Sequence, residues 1–161
     1  MVGFSNQFIE NVGAELIGSS FYGVFPCDAY PIIKKKNFSI IFNLSKHDEV
    51  GSHFIALIKN EKNIYYFDSF GKKCKNSYIL KFMKKFNLPI LHNGFQVQDR
   101  SSSYCGLFCL FFIIFFNFYT YTNLFSDFSK LFHYQSSLNK IKHNDVVLKK
   151  YIFSFIHKIQ K

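Results

Sequence analysis

The sequence predicts an α+β fold in which a central mixed sheet is packed by helices and a cysteine stands at the N-terminus of a buried apolar helix. Three observations lead there. Short β-prone apolar runs broken by polar turns recur through the first hundred residues, Leu110 to Phe116 carries no polar side chain, and other segments repeat apolar residues at helical spacing. With 161 residues, 48% apolar and 20% aromatic, the chain can bury a sizeable core and fits one domain over 1–161. Phe supplies most of that core with 23 copies, and no linker or internal repeat divides the chain.

In order along the chain, Ser5 caps a first short helix that runs through about Val12. Strands are expected near Phe21 to Val24, Phe38 to Asn43, His53 to Lys59, Ile64 to Phe67 and Phe95 to Gln98. Between the last two, Ser77 to Phe86 has Ile79, Phe82, Met83 and Phe86 at helical spacing. Leu107 to Phe118 is roughly twelve residues, against about 20 needed to cross a bilayer, and polar residues bound it on both sides, so it reads as a core helix. A C-terminal helix starts near Asn144 or Asp145, with Val146, Val147, Tyr151, Phe155 and Ile159 as its apolar face. The sheet is expected to sandwich the Cys105 helix against the others.

The chemistry concentrates in Ser103-Tyr104-Cys105-Gly106-Leu107-Phe108-Cys109. A turn of small residues, Ser101 to Ser103, delivers Cys105 to a helix start, where unpaired N–H groups and the positive dipole end favour a thiolate. Gly106 is expected to leave room for a substrate backbone beside the sulfur. A buried structural cysteine is the alternative reading. A nucleophilic thiol needs a base, an orienting group and an oxyanion donor, and each has a candidate upstream. His53 stands at the entrance of one strand and Asp68 at the end of the next, and the polar turn Lys59-Asn60-Glu61-Lys62 makes the two a hairpin. Antiparallel pairing then brings His53 and Asp68 to the same sheet edge. Gln98 closes another β-like run and can present its amide next to the sulfur. Cys105 and Cys109 are one helical turn apart, but no matching Cys/His pair has zinc-site spacing, so no metal is expected and Cys109 reads as core.

The order His53-Phe54, then Tyr66-Phe67-Asp68-Ser69-Phe70-Gly71, then Gln98 with six residues to Cys105-Gly106-Leu107-Phe108-Cys109, resembles the adenovirus-type cysteine endopeptidases (adenain), within the superfamily of ubiquitin-like-protein proteases. Gly18 to Phe25 resembles that family's N-terminal region. The resemblance implies His53 as general base, Asp68 as its orienting acid, Cys105 as nucleophile, and Gln98 with the Cys105 N–H as oxyanion hole. It also implies a viral or virus-derived enzyme that cleaves precursor structural proteins at small-residue, Gly-containing sites. Two positions depart from the family. Phe54 stands where the family has Trp after the histidine, leaving a smaller aromatic lid over the imidazole, and no cysteine lies between Lys75 and Tyr104 to receive an activating peptide through a disulfide. Papain-like proteases have the cysteine before the histidine, the reverse of the order here. A protease removing ubiquitin-like modifiers would use the same residues, and a non-enzymatic basic nucleic-acid-binding domain is the reading from another class.

Net charge is +10, which favours polyanionic partners. Lys34, Lys35, Lys36, Lys72 and Lys73 are the leading candidates for contacts to non-specific DNA, because lysine point charges suit phosphate backbones better than base edges. A merely solvated basic surface is the alternative. No cofactor is expected for the chemistry, with non-covalent activation by DNA or a peptide left open. No secretory signal is evident, and a working thiolate requires reducing surroundings, so the expected location is a virion or the host nucleus or cytoplasm, as a monomer without membrane contact.

Overall fold

The computed structural model describes residues 5–133 and 138–159, with the side chains of 138, 139, 158 and 159 outside that description. Helix α1 (Asn6–Ile17) is capped by Ser5, whose hydroxyl oxygen accepts from the Phe8 N–H at 3.2 Å. It runs five residues past its expected end at Val12, because Gly13 is no break: a Cβ there would stand 2.2 Å from the Phe21 ring, so glycine lets the helix lie close to the sheet. The helix stops at Gly18, where φ is 68°, and a 3-10 turn over Gly18–Ser20 leads into the sheet.

The strands are β1 (Phe21–Pro26), β2 (Phe38–Asn43), β3 (Phe54–Lys59), β4 (Ile64–Phe67) and β5 (Ile90–His92), in that spatial order. β1 pairs parallel with β2 and β4 parallel with β5, while β2, β3 and β4 are mutually antiparallel, so the sheet is mixed. His53 precedes the β3 ladder, although its carbonyl still accepts from the Leu44 N–H at 2.8 Å. One expected strand is absent: Phe95 to Gln98 is an irregular segment whose Val97 and Gln98 N–H groups both donate to the Ser69 carbonyl. The fifth strand is instead Ile90–His92, three residues between Pro89 and the Asn93-Gly94 turn, too short to carry a period.

Both sheet faces are covered, which is why β2 and β3 read as unbroken apolar runs rather than alternating ones. On one face Phe38, Ile40, Phe42, Ile55 and Leu57 pack with Ile79, Phe82 and Met83 of α2 (Ser77–Lys84); Phe86 follows that helix and still packs against the cluster. On the other face Ile41, Ala56, Ile58 and Phe67 meet α3 (Cys105–Phe118), which is itself covered by α1, by α4 (Leu124–Ser129) and by α6 (Asn144–Ile159). A short helix α5 (Leu138–Lys142) precedes α6. Every residue of α3 from Cys105 to Phe115 is buried, so the helix has no polar face. Phe67 stacks on Phe112 with centroids 4.5 Å apart, and Phe111 stacks on Tyr151 at 5.1 Å. At roughly 1.5–3 kcal/mol per fully buried large apolar side chain, α3 is the principal anchor of the core. The α6 face differs from expectation: Val146 is 46% exposed, and Leu148 and Ile152, one turn apart, take the buried positions with Tyr151 and Phe155 beside them. The Ile159 side chain lies outside the described residues. No helix among the described residues is long and apolar enough to cross a membrane.

Candidate active site

The β3–β4 ladder pairs Ala56 with Phe67, and the two chains continue alongside each other beyond it. There the His53 Nε2 and the Asp68 Oδ1 are 2.9 Å apart. The same register, carried three steps past Ala56, sets His53 opposite Phe70, and the two rings stack at 4.7 Å with planes 23° apart. The aromatic lid over the imidazole is therefore Phe70, not Phe54. Successive strand residues point to opposite faces, so Phe54 turns away from His53 toward α3, where it lies 3.5 Å from the place a Cβ on Gly106 would occupy.

Asp68 is buried and held from several sides. Its Oδ1 accepts from the Phe70 N–H at 2.8 Å as well as from His53. Asn93, also buried, accepts from the Asp68 N–H at 2.8 Å and donates its amide to the carbonyls of Asp68 at 2.6 Å and Phe95 at 2.9 Å. Just beyond, Gly71 has φ 70° and a Cβ there would stand 2.6 Å from the Phe95 backbone, so only glycine permits this crossing. Sequence reasoning missed Asn93, because Asn93-Gly94 reads as an ordinary turn pair.

Gln98 is fully buried on the adjoining segment. Its Oε1 accepts from the Ser69 hydroxyl and its Nε2 donates to the Ser102 carbonyl at 2.8 Å, which fixes the amide and leaves its second N–H uncommitted. Asn144, at the start of α6 and fully buried, steadies this segment from behind by donating to the carbonyls of Val97 at 2.8 Å and His133 at 2.7 Å. It too was missed; nothing local marks it.

Cys105 opens α3 after Tyr104, and no side chain caps this helix start, so its first N–H groups remain available at the sulfur. Asp68 occupies the Nε2 of His53, which leaves Nδ1 as the free ring nitrogen, and Cys105 lines the same cleft as His53. Burial pushes the imidazole down, but the hydrogen bonds to Asp68 and then to Cys105 outweigh it, and the group is pushed up to about 9. An imidazole so placed is protonated at neutral pH. Cys109 is the contrast: complete burial pushes its thiol well up, which keeps it protonated. Gly106 serves packing rather than substrate access, since a Cβ would stand 2.4 Å from the Ile9 Cδ1 of α1.

His53, Gln98 and Cys105 share one wall of a cleft of about 790 Å3 whose far side is formed by the segment from Asn43 to Ser52. Lys72 and Lys73 do not line this cleft; with Lys75 they surround a cavity of about 610 Å3 backed by Tyr66 and Asp68. Lys34, Lys35 and Lys36 are exposed in the β1–β2 connection, where the Lys35 ammonium donates to the Ser19 carbonyl. Among the described residues no group of three or more His, Cys, Asp or Glu side chains could hold a metal ion.

No protein-family model matches the chain. Over 139 residues it is 28% identical to a curated protein named Protease from Ovine adenovirus D serotype 7 (isolate OAV287), a match covering 74% of this chain and 68% of that protein. In sequence the chain is thus similar to an adenovirus protease. A crystal structure of a selenomethionine ASFV protease is 18% identical with a TM-score of 0.46, covering 68% of this chain and 43% of that one, so the chain spans less than half of that protein's length. Cys105 is the cysteine among the described residues that lines the cleft with His53.

Proposed function

We propose that the protein is a viral cysteine endopeptidase in which Cys105 is the nucleophile, His53 the general acid and base, Asp68 the orienting carboxylate and Gln98 an oxyanion donor. The observation that carries the reading is the His53–Asp68 hydrogen bond at 2.9 Å on an imidazole that lines one cleft with Cys105 and Gln98. The Cys105 thiolate attacks the peptide carbonyl and forms a C–S bond. The oxyanion is met by the free N–H of Gln98 and the Cys105 N–H at the α3 start. The tetrahedral adduct collapses, the C–N bond breaks, and the His53 imidazolium gives its proton to the departing amine. Water, deprotonated by His53, then attacks the thioester and the thiolate leaves with the carboxylic acid product released.

Substrates are precursor structural proteins cut at small-residue, Gly-containing sites, and the enzyme works in the reducing surroundings of a virion or of the host nucleus or cytoplasm, as a monomer. No cofactor takes part in the chemistry; DNA or a peptide activates without a covalent link, and the exposed lysines hold the enzyme to duplex DNA. Incubating the pure protein with a peptide library and sequencing the cuts tests the reading. Cleavage beside glycine that disappears in Cys105→Ala supports it. Cleavage of ubiquitin-like modifier fusions with little action on peptides would overturn the substrate class, and no cleavage at all would overturn the reading.

A further inference from the structure

Beside the catalytic cleft lies a second cavity of about 320 Å3 lined by Phe70, Lys72, Gln96 and Arg100. Phe70 and Arg100 also line the cleft itself, so the two spaces adjoin. Arg100 takes part in none of the ion pairs or side-chain hydrogen bonds among the described residues. The neighbouring Asp99 is already engaged, its carboxylate accepting from the backbone and hydroxyl of Ser101, which holds its carboxyl below the usual carboxylate range. The Lys72 ammonium sits 5.5 Å from the centre of the Phe70 ring, so both cations flank one aromatic wall and no carboxylate lines the cavity.

Composition sharpens the point. Lys and Arg together number 20, and Arg100 is the single arginine. A lysine supplies charge as well as an arginine does; what arginine adds is a planar fork that meets a carboxylate with two parallel hydrogen bonds. We infer that Arg100 and Lys72 form a specificity subsite for an acidic side chain of the protein substrate, next to the ring that covers the catalytic histidine. This rests on the protease reading and names one feature of its substrate: an Asp or Glu within a few residues of the cut. The methylenes of that side chain lie against Phe70 while the carboxylate reaches the guanidinium. A phosphate backbone is the other anion that two cations attract. The pocket favours the side chain, because it adjoins the cleft in which a peptide would bind and offers a fork and an aromatic wall rather than a row of lysines.

The test compares peptide sets in which each of the four positions on either side of the cut carries Glu or Gln. The wild-type protein is expected to favour Glu at one position by about three- to tenfold in kcat/KM, the range of partly sheltered charge-assisted pairs. In Arg100→Ala combined with Lys72→Ala that ratio is expected to fall toward one, and Arg100→Glu to turn the preference to Lys at the same position. The inference is overturned if the wild type cleaves with no acidic preference, or if the preference survives in the double variant. It is equally overturned if Arg100→Ala weakens duplex DNA binding and leaves the peptide preference intact. Absence of any cleavage by the wild type would overturn the protease reading and this inference with it, so the two failures are distinct.

Discussion

Replacing Asp68 by asparagine keeps a side chain of the same shape beside His53 and removes its charge, and the consequence should be readable as a pH dependence of stability. In the folded protein burial pushes the His53 imidazole down, while the Asp68 hydrogen bond and then that of Cys105 push it up to about 9, from 6.5. At about 1.4 kcal/mol per unit, a rise of about 2.5 units corresponds to about 3 kcal/mol of linkage. Because the folded-state value lies above the unfolded one, that stability is fully present below pH 6.5 and is lost as pH rises through about 9. Asp68 supplies the largest upward contribution, so in Asp68→Asn the imidazole should fall well below 9 and most of this pH-linked loss should vanish. Urea unfolding of both proteins at pH 6 and pH 9.5 measures the difference of differences, which cancels other groups titrating in the window, such as His47, raised by its hydrogen bond to Asp28. An NMR titration of the His53 ring protons reads the group directly. A wild-type imidazole titrating near 6.5, or a wild type no more pH-dependent than Asp68→Asn, would refute the reasoning. If the imidazolium–thiolate pair is the active form, the alkaline limb of kcat/KM should move to lower pH in the variant as well.

Cys105→Ala should abolish turnover and labelling by a thiol-directed inhibitor, whereas Cys109→Ala should stay active and lose on the order of 1 kcal/mol of stability, as calorimetry and a peptide assay would establish. Gln98→Ala should lower kcat by roughly 10²-fold or more with the fold intact by circular dichroism, and a wild-type kcat would remove Gln98 from the oxyanion site. Gly106→Ala should destabilise by about 1–3 kcal/mol by forcing a methyl into the fully buried Ile9, less the gain in helix propensity, and Ile9→Val in the same chain should recover part of the loss; additive effects in a double-mutant cycle would sink that assignment. Fluorescence anisotropy with labelled duplexes should show log affinity falling linearly with log salt at about −0.9 per phosphate neutralised, and absence of binding at low salt would leave the +10 charge as a solvated surface.

The parts of the fold that were legible in the sequence are those with strong local signals. β2 and β4 carry apolar β-prone runs between polar turns, and both begin and end where the pattern says. The Ser5 cap and the apolar run of α3 are equally local. Hairpin arithmetic brought His53 and Asp68 to one edge because register follows from turn length alone. The errors share a different cause. Gly106 is assigned by sequence to a ligand, but it is small because Ile9 presses on it, as Phe21 presses on Gly13 and lets α1 run past Val12. The ring over His53 was assigned to its sequence neighbour Phe54, when the cross-strand neighbour is Phe70. Val146 was placed on a buried face by spacing, though spacing fixes a stripe and not which stripe meets the core.

The two buried asparagines show why the rest of the site could not be read. Asn93 and Asn144 make no hydrogen bond to the Cys105 sulfur, yet each satisfies three backbone groups beside the site: the Asp68 amide and the Asp68 and Phe95 carbonyls for the first, the His133 amide and the Val97 and His133 carbonyls for the second. The segment from Asn93 to Ser103 carries Gln98 without belonging to any strand, so its polar backbone groups lack ladder partners and must be met by side chains or left buried at about 1–3 kcal/mol each. That requirement arises only after the chain has folded, from which carbonyls happen to face inward. An asparagine that meets it looks, in sequence, like any turn or helix-start residue. It follows that Cys105, His53, Asp68 and Gln98 can be proposed from residue type and order, while the groups that hold their backbone in place become visible only when every buried donor and acceptor is paired off in three dimensions.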